Sequence, residues 1–332
     1  MKPIFSVIIN CFSRKEYVLE ALKSICNQTI FRSEYEIIFI RNFHDEEIEN
    51  FAKENGIISI YTDLVTTGSW FKIAADYAKG TFISFLDDDD LMHPNKLEIL
   101  HSVIRLDPEI AYIHNKSGES NDMFRKKTFN RSNIIYFRLD NKAQFRKMLK
   151  NKYYFNLSSI TVRKDILQEY LPYIAVTNHG TDFVMFSGAC MSGKKMLEYD
   201  DPLTFFRVHM DSHGNFRAGS LQEFEKKKMS VLPFYVDNWR IICELQNGTI
   251  LGEYAKLRFI TTRIWLNLVS PKPSYKIGLT EIIDSIHVVC IYPPFIPFIA
   301  VYYFDRLFHT AAKKIYYIII YSWLGWKLRE NI

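Results

Sequence analysis

Gly80–Leu97, GTFISFLDDDDLMHPNKL, decides how the rest of the chain is read. Thr81–Leu86 is a run of β-branched, aromatic and apolar residues entered through a glycine, as suits a central strand of a parallel sheet covered on both faces. Asp87, Asp88, Asp89 and Asp90 follow without interruption. Pro94 then stands where the first turn of a helix tolerates it, ahead of Lys96 and Leu97. Ligands of open α/β sheets bind beyond the carboxyl ends of the strands, so four carboxylates fall where a ligand is expected. Crowded carboxylates repel one another. A hard divalent cation, which takes oxygen ligands and bridges phosphates, relieves that repulsion. The alternative is a solvated acidic turn capping the next helix. The buried strand before the run and the proline-led helix after it favour the metal site.

Upstream, Ile4–Ile9 reads as a first buried strand, followed by the turn Asn10-Cys11-Phe12-Ser13. Ser13 and Glu16 have capping-box spacing for a helix running to about Asn27. Strands over 35–40 and 57–61 alternate with helices over 46–55 and 69–78. Downstream, helices are predicted over 95–105, 142–150, 165–171 (stopped at Pro172) and 182–191. Strand-like segments lie over 110–114, 133–139, 158–162, 196–199 and 203–208. Strand and helix in short alternation predict a doubly wound, mostly parallel α/β sheet with right-handed crossovers.

The chain has 332 residues, 48% hydrophobic and 15% aromatic, enough to bury a core and leave room for an appendage. The net charge of +5 is modest, and no nucleic-acid partner is expected. Cys11, Cys26, Cys190, Cys243 and Cys290 show no CxxC pairing and no histidine-rich spacing, which argues against a zinc site or a disulfide framework. Met1-Lys2-Pro3 leads directly into the first strand without a secretory signal, so the catalytic part is expected to face the cytoplasm.

Four segments in order resemble the inverting family 2 glycosyltransferases with a GT-A fold. They are FSVIINCFSRKEYVLEALKSICNQT, AKGTFISFLDDDDLMHPNKL, HGTDFVMFSGACMSG and DDPLTFFRVHMDSH, and together they cover roughly residues 4–213. The resemblance implies transfer of a sugar from a nucleotide-sugar donor to an acceptor hydroxyl, with Mg²⁺ or Mn²⁺ stabilising the departing diphosphate. It makes Asp89 the metal ligand, with Asp87 and Asp88 beside it for the donor's ribose and the metal's waters, and leaves Asp90 to cap the next helix. It makes Asp182 the general base, a position where an ordinary N-cap is the alternative. His209 corresponds to a histidine on the metal or pyrophosphate, or else is structural. Arg207 corresponds to a phosphate or acceptor contact, with a salt bridge to Asp200 or Asp201 as the alternative. Cys11 and Phe12 match positions that approach the nucleotide, Phe12 stacking on the base or packing in the core.

The sequence departs from the family pattern in three places. Thr181 replaces a glutamate before the base. Arg41-Asn42-Phe43-His44 replaces an acidic run that reads uracil, leaving Asn42 as the base reader. Phe71-Lys72 replaces an Arg-Asn pair, leaving Lys72 as a point charge for the diphosphate or as a solvated helix lysine.

The expected division is a catalytic domain over 1–215, with a donor half 1–108 and an acceptor half 109–215, then a helical region over 216–332. Leu221 to about Leu268 reads as amphipathic helix carrying a charged patch, Lys226-Lys227-Lys228. Ile286–Phe304 has one histidine and no formal charge, but Pro293, Pro294 and Pro297 argue against a clean span. With the aromatic and basic residues of 311–329 it predicts a membrane-surface segment and a glycan or lipid-linked acceptor. A dimer interface or a helical cover on the catalytic domain is the alternative. Two rival functions are a sugar-phosphate nucleotidyltransferase, which would want a glycine-rich loop that Asn10–Lys15 lacks, and a non-catalytic membrane-bound glycan-binding or assembly subunit.

Overall fold

The computed structural model describes residues 2–118, 125–139, 142–207, 221–270, 275, 277–278 and 280–281. The chain divides into two compact units, Met1–Arg207 and Val208–Ile332, ahead of the boundary expected at residue 215.

The first unit opens with β1 (Phe5–Cys11), α1 (Val18–Cys26), β2 (Tyr35–Arg41), α2 (Glu46–Glu54), β3 (Ile58–Tyr61), α3 (Thr67–Tyr77) and β4 (Phe82–Asp87). It continues with β5 (Leu91–Met92), α4 (Lys96–Leu106), β6 (Ile110–Gly118), β7 (Ile134–Phe137) and α5 (Lys142–Asn151). It closes with β8 (Ile160–Arg163), α6 (Lys164–Ile174), α7 (Thr181–Met191) and β9 (Lys195–Phe205). Among the described residues these strands form one nine-stranded sheet in the order β3-β2-β1-β4-β8-β6-β9-β5, with β7 beside β9.

Strands β1 to β4 are parallel, as expected. The second half is mixed. β8 runs antiparallel to both β4 and β6, β6 and β9 are parallel, and β5 and β7 pair antiparallel with β9. The expectation of a mostly parallel sheet therefore holds only for the donor half. The two short strands read over 196–208 are one long strand, β9, whose register with β6 shifts at Asn115/Lys116 and Lys116/Ser117. The irregular pairing hides the alternation that a continuous strand would show.

Alternation in β1 sends Phe5, Val7, Ile9 and Cys11 into one core, where Val18, Ala21, Leu22 and Ile25 of α1 join them. On the other face Phe71 of α3 meets Phe85 of β4 edge-on, with centroids 5.3 Å apart. Gly80 is required by the approach to β1: a Cβ there would lie 2.5 Å from the backbone N of Ser6. The glycine that opens the decisive stretch thus lets β4 lie beside β1.

Three local expectations are corrected. Ser13 does not cap α1. It sits at φ 61° in the turn after β1, and Tyr17 is the N-cap residue. α6 does not stop at Pro172 but runs to Ile174, because a proline late in a helix costs only one backbone bond. In the second unit the long helical stretch is a pair, α8 (Leu221–Leu245) and α9 (Ile250–Val269), and Lys228 leaves the expected charged patch. Its side chain is buried with Nζ 4.0 Å from the centre of the Trp265 ring. Among the described residues no helix is long and apolar enough to cross a membrane. The segments 286–304 and 311–329, on which the membrane reading rests, lie outside the described residues, as does Cys290.

Candidate active site

β4 delivers Asp87 to its carboxyl end, next to Asn10 of β1 in register. The Asp87 N–H donates to Ser158 Oγ at 2.9 Å, and its carboxyl is pushed well above the usual range by burial, then by Asp90, Asp89, Asp88 and Asp182. Asp182 is the smallest of these contributions, which puts the two carboxyls within electrostatic range of one another. Asp88 is raised by burial, against the opposing pull of Arg14. Arg14 Nη2 bonds Asp88 and lies 2.7 Å from Asp89 Oδ2, so the strained turn at Ser13 carries the tip's own countercharge. Sequence reasoning missed Arg14.

Asp90 does not cap α4, whose N-cap residue is Asn95. It is fully buried, accepts from the Arg207 N–H (3.0 Å) and Asn156 Nδ2 (3.3 Å), and is pushed up to about 7 by burial and by Asp89. The short strand β5 comes between Asp90 and the helix, so a cap at this position is out of reach. Lys96, also fully buried, donates to Ser158 O (2.6 Å) and Thr204 Oγ1 (3.2 Å). Burial lowers its pKa to about 7 while Asp90 opposes the shift. The Asn156–Ser158 turn is therefore a hub, holding Asp87 and Asp90 while Lys96 fastens it from below.

Arg207 does not pair with Asp200 or Asp201, which go to Lys116 and Lys127. Its Nε donates to Asp89 O at 2.9 Å, its Nη2 pairs with Glu20 at 2.6 Å, and its guanidinium lies over the Tyr17 ring. It buttresses the tip.

Asp182 lies in the first turn of α7, after Gly180 at φ 64°. Burial pushes its carboxyl up to about 6, opposed by the N–H groups of Phe183 (2.9 Å) and Asn156 and by His114. Thr181, in place of the family's glutamate, is buried with its hydroxyl 3.0 Å from Thr177 Oγ1.

The other predicted residues are arranged as follows. Cys11 is fully buried with Sγ donating to Arg14 O (2.7 Å), so it shapes the turn from inside. Phe12 is 51% exposed, beside Trp70 at 5.4 Å between centroids, and is not a core residue. Asn42 is engaged at both ends: Oδ1 accepts from the Ser13 N–H (2.8 Å) and Nδ2 donates to Ser13 Oγ (3.3 Å). Arg41 is buried and occupied by Ser59, Phe43 O and Glu49. Lys72 is exposed on α3, without contact to the tip among the described residues. His209 lies outside the described residues. A residue that sequence reasoning passed over is Asn10, whose buried amide has neither atom hydrogen-bonded among the described residues.

Among the described residues no group of three or more His, Cys, Asp or Glu side chains is arranged to enclose a metal. The donor set is nonetheless all carboxylate oxygen, with Asp87 raised by burial and then by its neighbouring carboxylates and with Arg14 paired to Asp88 and Asp89. Those residues fit a hard divalent cation that draws the rest of its shell from a bound diphosphate.

A mixed α/β sheet with carboxylates gathered at the carboxyl end of a strand has them where such sheets bind their ligands. The model of Glycosyl transferase family 2 matches residues 6–171, half of the chain, and the chain belongs to that family of glycosyltransferase enzymes. A glycosyltransferase of Rickettsia prowazekii is 32% identical over 98 residues, 29% of this chain and 30% of that protein. The minor teichoic acid biosynthesis protein GgaB of Bacillus subtilis is 31% identical over 100 residues, 28% of this chain and 11% of GgaB. The chain thus matches a third or less of the length of these two relatives. Among solved structures, S. aureus TarS 1-349 superposes with TM-score 0.56 over 98% of this chain and 93% of that one, at 14% identity, a likeness of fold alone. TarS 1-349 in complex with UDP-GlcNAc superposes with TM-score 0.55.

Proposed function

We propose that the protein transfers a sugar from a nucleotide-sugar donor to an acceptor hydroxyl with inversion, in a single displacement between the acidic tip and Asp182. One observation carries this reading: Asp182, half-buried in the first turn of α7 with its carboxyl pushed up to about 6, interacts electrostatically with Asp87 at the end of β4. A general base works best with a pKa near the operating pH, and Asp182 meets that condition. The acceptor oxygen gives its proton to Asp182 and bonds to the anomeric carbon as the bond to the diphosphate breaks. A divalent cation on Asp89, Mn²⁺ or Mg²⁺, with Asp88 beside it and His209 as a further ligand, would supply charge stabilisation for the departing diphosphate.

Arg14 holds Asp88 and Asp89 in place, and Arg207 fixes the backbone of the same turn. Phe12 with Trp70 offers a ring face for the nucleobase, and the unsatisfied Asn10 amide is a second candidate contact to the donor. Asn42 clasps the Ser13 turn and acts on the donor through that turn. Lys72 remains a candidate point charge for the diphosphate. The acceptor is a glycan or lipid-linked glycan at the cytoplasmic membrane face. The teichoic acid role in the name of the B. subtilis relative supports a surface-polymer acceptor.

The test is release of nucleoside diphosphate from UDP-, GDP-, CDP- and dTDP-sugars with and without Mn²⁺. One donor is expected to be turned over with metal, and Asp89→Ala and Asp182→Asn are each expected to cut transfer by about 10²-fold or more in a folded protein. Full activity in either variant would refute these roles. Absence of both turnover and metal-dependent nucleotide binding would favour a non-catalytic subunit.

A further inference from the structure

Arg14 Nη2 reaches two carboxylates at once: it bonds Asp88 Oδ1 and lies 2.7 Å from Asp89 Oδ2. A guanidinium, charged at any working pH, thus stands as countercharge to both. The backbone that carries it is tied from two directions. Cys11 Sγ donates to Arg14 O (2.7 Å), and Asn42 Oδ1 accepts from the Ser13 N–H (2.8 Å). The Arg14 N–H donates to Phe12 O (2.7 Å) and closes the turn on itself. The side chain, by contrast, is 27% exposed, so its head can leave a carboxylate by rotation about its own bonds while the turn stays in place. A divalent cation binds through the same kind of oxygen. On the same carboxylate, a guanidinium and a divalent cation are like charges in close approach, and each weakens the hold of the other.

We propose, on the reading of Asp89 as a metal ligand, that Arg14 is a built-in competitor of the cation. Its guanidinium neutralises Asp88 and Asp89 in the free protein and swings off Asp89 when a divalent cation binds there. Arg14 then sets the cation affinity of the tip and keeps the carboxylates paired until a cation arrives. The sign of one effect separates this role from a merely structural one. Loss of a competitor tightens cation binding, whereas loss of a support loosens it.

The test needs no substrate. Full-length protein is titrated with Mn²⁺, and free Mn²⁺ is read by electron paramagnetic resonance. Arg14→Gln is expected to bind Mn²⁺ about tenfold more tightly than wild type, and adding Asp89→Ala to that variant is expected to abolish the gain. Equal or weaker binding in folded Arg14→Gln, or a gain that survives Asp89→Ala, overturns the proposal. Folding is checked by thermal melting, and a second measurement decides if Arg14→Gln does not fold. In wild type carrying nitrogen-15 arginine, the Arg14 side-chain signals are assigned by their loss in Arg14→Lys. The two terminal nitrogens are expected to give separate signals in the free protein, where Nη2 is held, and one averaged signal at saturating Mg²⁺. Separate signals that persist at saturation overturn the proposal. Mn²⁺ that binds no form of the protein, even with UDP, GDP, CDP or dTDP added, would instead overturn the metal reading beneath it.

Discussion

At the end of β4 four carboxylates crowd one turn, whereas α7 presents a single one. Asp88 and Asp90 are buried, Asp87, Asp89 and Asp182 are half-buried, and the surroundings of the two sites differ. At the tip, burial and then like charges raise Asp87, while the Arg14 guanidinium bridges Asp88 and Asp89. At Asp182 backbone donors and a buried imidazole offset burial, and the carboxyl settles at about 6. The first environment suits capture of a cation and a diphosphate. The second suits taking up one proton near neutral pH. Acidity alone does not separate these roles; what surrounds each carboxylate does.

The comparison breaks most directly at Asp182. Asp182→Asn keeps the shape and removes the proton acceptor. Transfer is expected to fall by about 10³-fold, within the range for general-base catalysis, with donor KM little changed, as read by steady-state kinetics. Asp89→Ala acts on the other side. Turnover is expected to fall by about 10²-fold or more through lost stabilisation of the leaving group, and added Mn²⁺ should no longer stimulate it.

The pH profile sharpens the contrast with a smaller effect. Asp182 must be ionised to accept a proton, so kcat/KM should rise through about pH 6 and level off above it. It is expected to lose about tenfold for each unit below that point. A flat profile from pH 5 to pH 8 would remove Asp182 from the proton transfer. Arg207→Ala is the mildest change. Losing the Nε bond to Asp89 O should weaken donor binding by about tenfold while the acidic limb of the profile stays where it was.

The donor half was legible because short buried strands alternate with helices, and because Gly80 and the aspartate run mark one strand end. The acceptor half was less so. β8 runs antiparallel and β9 pairs irregularly, so neither follows the simple alternation of a parallel sheet. Asp182 and the acidic tip could be named from motif order as candidates. Arg14, Lys96 and Asn156 could not, since their roles arise from contacts across the fold. Asn156 bonds Asp90 and Lys96 bonds Thr204 across long stretches of sequence, and no local pattern announces either contact. Asp90 was misread for a related reason: next to a predicted helix an aspartate looks like a cap, and only the intervening β5 shows that it turns inward.

The division of labour between the two carboxylate sites is tested most directly by calorimetric titration. UDP, GDP, CDP and dTDP are titrated into the wild type, Asp89→Ala and Asp182→Asn, with and without Mn²⁺. One nucleotide should bind the wild type and Asp182→Asn with equal, Mn²⁺-dependent affinity, and Asp89→Ala should lose that dependence. Mn²⁺-dependent binding that survives in Asp89→Ala, or vanishes in Asp182→Asn, would contradict the account.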